Sequence, residues 1–79
     1  ALMKQSFRKG QILFHQDVPN QNVFYVLDGV IKIYSICENG KKSIHALIPA
    51  GDLVGLSALL EEEKSPYSAE VLEDSSVYV

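Results

Sequence analysis

Short apolar runs alternate with turn-forming residues along the whole chain, at intervals of about eight to twelve residues, a rhythm typical of all-β sandwiches and barrels. The first run is Gln11 to His15, carrying Ile12, Leu13 and Phe14, and it ends at Asp17-Val18-Pro19-Asn20. Proline presets φ there, and the Asp and Asn side chains favour a turn. The second run, Val23 to Leu27, is rich in β-branched and aromatic residues, and Asp28-Gly29 after it predicts a tight hairpin. In the third run, Val30 to Cys37, Ile31, Ile33 and Ser35 alternate with Lys32, Tyr34 and Ile36. That spacing predicts one core-facing and one partly exposed face. Asn39-Gly40 is the strongest hairpin signal, and a fourth run, Ser43 to Ile48, stops at Pro49-Ala50-Gly51-Asp52.

Leu53-Val54 and Gly55 follow, and then Leu56-Ser57-Ala58-Leu59-Leu60, too short for an isolated helix but long enough for one packed helical turn. Tyr67 to Leu72 and Ser76 to Val79 read as two more strands, joined across Glu73-Asp74. Helical periodicity is nowhere sustained beyond about six residues. The expected fold is therefore all-β, an antiparallel jelly roll or cupin-like β-roll with one short helical turn.

Size and charge narrow the function. The 79 residues suffice for one domain and not two. A domain this small buries only about 60% of its unfolded surface, so its stability margin is thin. The net charge is −3, and the basic residues are scattered, with Lys41-Lys42 beside a turn as the densest group. Nucleic-acid binding needs clustered cations to displace counterions from phosphates, so this segment by itself is not expected to bind DNA. Glu61-Glu62-Glu63 reads as a solvated loop. No apolar stretch approaches the roughly 18 residues of a membrane span, and no signal peptide is visible, so a cytoplasmic location is expected. The chain opens on Ala1-Leu2 and stops on Val79 inside a strand-like run, which suggests a piece of a longer protein.

Candidate chemistry is sparse. Cys37 is the single cysteine, so neither an internal disulfide nor a cysteine-rich metal site is available. His15 and His45 are the two histidines, and neither lies in a metal-binding spacing; structural roles are expected for both. Ser57 follows Gly55-Leu56 but lacks the second glycine of a nucleophile elbow. No catalytic residue, metal or cofactor is assigned. The informative region is Pro49 to Leu60, followed by Pro66-Tyr67-Ser68-Ala69-Glu70-Val71. Gly55 ahead of a helical turn would free backbone N–H groups for an anion, with Tyr67 and Ser68 placed opposite. Alternatively, Gly55 only permits a bend, and Ser68 and Ala69 are packing residues. Composition leaves both readings open.

These residues, in this order, resemble the cyclic-nucleotide-binding domain. Phe7, Lys9-Gly10, Ile12-Leu13-Phe14, Phe24 to Ile33, Glu38 to Lys42, Pro49 to Gly55 and Ser68 to Val71 carry the likeness, with glycines at 10, 29, 40, 51 and 55 at the expected turns. Within that superfamily the chain is most similar to the sensor domain of Crp/Fnr bacterial transcription regulators, and the resemblance spans residues 7–79. It implies a β-roll that holds a small effector, in a parent protein that forms homodimers through a long helix. It also implies that DNA is bound only by a helix-turn-helix domain that this chain does not contain.

Two departures bear on the ligand. Cyclic-nucleotide binders of this family carry Glu directly after the glycine matching Gly55, for the ribose hydroxyl, and Arg just before the residue matching Ser68, for the phosphate. Here those positions are Leu56 and Tyr67. A phenol cannot replace a guanidinium that pairs bidentately with an anion. The resemblance therefore implies an effector-sensing domain that does not respond to cAMP or cGMP. Its candidate pocket comprises Gly55, Leu56, Ser57, Tyr67, Ser68 and Ala69, and its effector is unidentified. Gln16 also departs, standing where the family usually has glycine. An iron–sulfur sensor would need several cysteines, and only Cys37 is present. Two other parents fit less well: a kinase, transporter or channel carrying a degenerate module of this type, and a small cupin enzyme.

Overall fold

The computed structural model describes residues 3–20, 22–56 and 64–79. Six strands, β1 (Lys4–Phe7), β2 (Ile12–Phe14), β3 (Phe24–Ile36), β4 (Lys42–Pro49), β5 (Leu53–Val54) and β6 (Ser68–Tyr78), form one antiparallel sheet. The antiparallel β-roll expected from the alternating runs is the architecture observed. The helical turn expected over 56–60 falls largely on residues outside those described.

A long two-stranded ribbon of β3 and β6 runs through the middle of the molecule. Along the outer edge of β6, β1 pairs with Ser75–Tyr78 and β2 with Ala69 and Glu70. Along the outer edge of β3, β5 pairs with Phe24 and Tyr25, and β4 with Val30–Ile36. Each end of the ribbon is thus a four-stranded patch, and the two patches share one core. Phe14, Ile31, Ala69 and Val71 come from one end; Phe24, Val26, Val54 and Val77 come from the other. The Phe14 and Phe24 rings stack across the join at 6.3 Å between centroids.

The two strand junctions read from turn residues turn out differently. Asp28-Gly29 does not close a hairpin: β3 runs straight through it, and β6 likewise runs through Glu73-Asp74. The register between β3 and β6 slips at Val26/Asp28, Asp28/Val30 and Val30/Ile31. Bulges of this kind bend a strand and increase its twist without ending it. The positive φ of Gly29 (96°) serves that bend, where a hairpin would have required the chain to reverse. A Cβ at Gly29 would lie 2.8 Å from Ser75 Cα, so β6 crosses closely over the glycine. β1 was not signalled by the apolar pattern, because three of its four residues are exposed. Its place is set by the ladder to β6. Asn39-Gly40 does close a hairpin: Ile36 pairs with Lys42 across the loop, Gly40 has φ 81°, and Asn39 Oδ1 accepts from Lys41 N at 2.9 Å.

Gly29→Ala is expected to lower the unfolding free energy by more than about 2 kcal/mol, through the left-handed backbone and the collision with Ser75. Gly10→Ala meets open space at φ 93° and is expected to lose only about 1–2 kcal/mol from the backbone. Urea denaturation of both variants checks the ranking.

Candidate functional site

A half-open cavity of about 310 Å³ lies inside the roll, lined by Phe14, Ile33, Ile48, Leu53, Val54, Gly55, Leu56 and Tyr67. Strand alternation explains its apolar walls. Ile33 on β3 and Ile48 on β4 point inward, while their neighbours Lys32 and Leu47, a cross-strand pair, lie on the outer face. The Phe14 ring forms part of the wall, and the exposed side chains of Leu53 and Leu56 form a rim.

Two buried polar residues hold the cavity walls in place. Asn20 Nδ2 donates to Asn22 O at 2.7 Å and, more weakly, to Gly55 O at 3.4 Å, while its Oδ1 accepts from Asn22 N at 3.2 Å. Gly55 itself is required by packing as well as by φ (93°): a Cβ there would lie 2.9 Å from both Asn20 Nδ2 and Asn22 O. Next to the lining residue Tyr67, fully buried Ser65 donates to Tyr67 O at 2.7 Å and accepts from Tyr67 N at 3.2 Å. That local turn sets the Tyr67 backbone. From the sequence Asn20 reads only as a turn residue, and nothing singles out Ser65. Burial, which only the tertiary structure supplies, is what distinguishes them.

The residues singled out from sequence separate into three groups. Gly55, Leu56 and Tyr67 line the cavity. Ser68 turns away from it: its Oγ accepts from Gln16 N at 2.8 Å, beside a second, more open depression that it shares with His15, Gln16, Asp17, Tyr34 and Ile36. Ala69 is fully buried in the core, and Ser57 lies outside the described residues. Gln16 acts as a short piece of strand. Its Oε1 accepts from Ile36 N at 2.7 Å and its Nε2 donates to Ile36 O at 3.2 Å, tying the loop after β2 to the end of β3. The positive φ in this loop falls one residue later, on Asp17 (65°).

Among the described residues, which include every Lys and Arg of the chain, no cation lines the cavity. The lysines of the neighbouring strands are engaged on the outer face. Lys32 pairs with Glu70 at 3.6 Å and sits 5.3 Å from the Tyr34 ring centroid; Lys42 covers the same ring at 4.5 Å. Also among the described residues, no group of three or more His, Cys, Asp or Glu is placed to hold a metal ion, and no helix is long and apolar enough to cross a membrane. His45 is instead hydrogen-bonded to Ser35, Oγ to Nε2 at 2.7 Å, and packs edge-on against Tyr67 with centroids 5.1 Å apart.

Comparison with known proteins agrees with this geometry. The model of the cyclic nucleotide-binding domain matches residues 4–79. The transcriptional activator protein Anr of Pseudomonas aeruginosa is 40% identical over 70 residues, covering 89% of this chain and 28% of that protein. The fumarate and nitrate reduction regulatory protein of Vibrio cholerae is 38% identical over 74 residues, covering 94% of this chain and 29% of that protein. The chain thus spans under a third of these relatives. Among solved structures, the catabolite activator protein of Thermus thermophilus superposes with a TM-score of 0.89 at 25% identity, over 98% of this chain and 36% of that one. FixK2 of Bradyrhizobium japonicum gives 0.87 at 27% identity, over 99% and 38%.

Asn20→Ala removes three hydrogen bonds at a buried corner and is expected to cost about 1–3 kcal/mol. Amide exchange at Gly55 and Leu56 should accelerate relative to the core strands, which hydrogen exchange followed by NMR would read.

Proposed function

Since this chain belongs to the cyclic nucleotide-binding domain family, we propose that it is the effector-sensing unit of a Crp/Fnr-like transcription regulator, and that cAMP and cGMP are not its effectors. The observation that carries this reading is the character of the cavity: a half-open apolar enclosure with Leu56 and Tyr67 in its wall and no cation among its lining residues. A cyclic nucleotide presents a phosphodiester anion and a ribose hydroxyl. Burying that anion without a counter-charge forfeits a charged hydrogen bond, about 1.5–3 kcal/mol, or upward of tenfold in affinity.

The regulatory role is supported by the named relatives, which are transcription regulators. In this proposal the parent protein forms homodimers in the cytoplasm and contacts DNA through a separate domain. The chain's charge of −3 and its scattered lysines suit a sensing part better than a DNA-binding one. A non-enzymatic role fits the same relatives.

Titration calorimetry with cAMP is expected to give no micromolar binding. The double variant Leu56→Glu plus Tyr67→Arg should restore at least about tenfold in nucleotide affinity. Micromolar binding by the unaltered protein would refute the proposal.

A further inference from the structure

β4 carries one residue too many for its partner. Ile33 of β3 pairs with Ala46, and the next residue, Tyr34, pairs with Ile44, so His45 opposes nothing. Strict alternation from Ile48 would send Ala46 inward and His45 outward. The bulge leaves His45 exposed but lays its ring against Ser35 Oγ at 2.7 Å and edge-on to Tyr67 at 5.1 Å. Ser35 is two residues from Ile33 on an unbroken stretch of β3, and so shares its inward face. Tyr67 and Ile33 both line the cavity. Ser35 and His45 do not line the apolar walls themselves; they form a polar pair, with His45 exposed, that adjoins the cavity through Tyr67. A bulge that re-aims one side chain is a recurrent feature beside binding sites.

We infer that Ser35 and His45 form a polar recognition pair at the exposed rim of the cavity, and that its ligand is an uncharged aromatic or cycloaliphatic compound with a single hydroxyl or carboxamide group. This rests on the effector-sensing reading of the same cavity. The chemistry of the pair sets the class of head group. If Ser35 donates to His45 Nε2, the serine oxygen keeps acceptor capacity and Nδ1 is a donor. If Nε2 donates to Ser35, the hydroxyl proton is available and Nδ1 is an acceptor. Either way the pair presents one donor and one acceptor, which matches a neutral hydroxyl or amide. A phosphate or other strong anion would require the cation that the lining lacks. The cavity volume sets the size of the body. An apolar cavity of about 150 Å³ holds benzene, and about 310 Å³ accommodates a fused bicyclic ring.

The test uses three probes that share one ring system: 2-naphthol, 2-methoxynaphthalene and 2-naphthoate, each titrated into the purified protein by ligand-observed NMR. The expected order places 2-naphthol about 2- to 10-fold tighter than the methoxy compound, the worth of one net hydrogen bond, with 2-naphthoate weakest. His45→Phe, which keeps an aromatic edge for Tyr67, and Ser35→Ala should each abolish the preference for 2-naphthol while leaving 2-methoxynaphthalene affinity unchanged. Leu56→Trp should weaken all three. Equal binding of 2-naphthol and 2-methoxynaphthalene, or a preference that survives both Ser35 and His45 substitutions, overturns the assignment while leaving the cavity as a ligand site. Tight 2-naphthoate binding overturns the uncharged class. Failure of every probe to bind removes the cavity reading and this inference with it.

Discussion

The close crossing of β6 over β3 at Gly29 is the constraint on which the rest of the molecule depends. With Ser75 Cα 2.8 Å from where a Cβ would sit, only glycine lets the two backbones approach there. That approach bends the β3–β6 ribbon so that both of its ends face one interior. A flat ribbon of this length would leave Ile31 and Val71 at one end and Val26 and Val77 at the other on separate patches, each too small to stabilise a sheet. Bent, they contribute to one core, closed by the stack of Phe14 on Phe24. The cavity is a consequence of the same closure, since Phe14 and Val54 belong to both core and cavity wall.

Electrostatics then follow from which face each strand residue occupies. Lys32 alternates with Ile31 and Ile33 and so must point outward, where it meets Glu70 and Tyr34. Lys42 joins it over the same ring. The Lys32–Glu70 pair is only partly exposed, at 13% and 23%, so its Coulomb gain is set against a desolvation cost; these contacts account for where the strand lysines go. The interior is left to aliphatic and aromatic side chains, with polar groups admitted only where they are fully bonded, as at Asn20 and Ser65. No buried side-chain nitrogen or oxygen lacks a hydrogen-bond partner among the described residues. Such a core discriminates against anions by desolvation without any dedicated repulsive element.

Much of the fold was legible from the chain alone. Gln11 to His15 contains β2, Ser43 to Ile48 lies within β4, and the Asn39-Gly40 turn joins β3 to β4. The misreadings share a cause. Asp28-Gly29 and Glu73-Asp74 have the local chemistry of turns, but the same residues also permit a bulged, continuous strand, and only the partner strand decides between the two. β1 was missed because an edge strand with mostly exposed side chains carries no apolar period. At the candidate site, Gly55, Leu56 and Tyr67 were recognisable from family resemblance, whereas Asn20, Ser65, Ser35 and His45 were not, since their significance lies in burial, at Ser65, and in contacts between separate strands and loops, at the others.

What the sequence by itself determined is the class of structure and its charge economy: an antiparallel β chain with glycine at its bends, and no Glu or Arg at the positions after Gly55 and before Ser68. Those follow from period and residue type, which are local properties. The tertiary structure alone decided that an apparent hairpin and an apparent strand junction are bends in single strands, that Ser68 answers to Gln16 and not to the cavity, and that a bulge lays exposed His45 against Ser35 and Tyr67. Register is a relation between strands, and one unpaired residue in one of them re-aims its side chain.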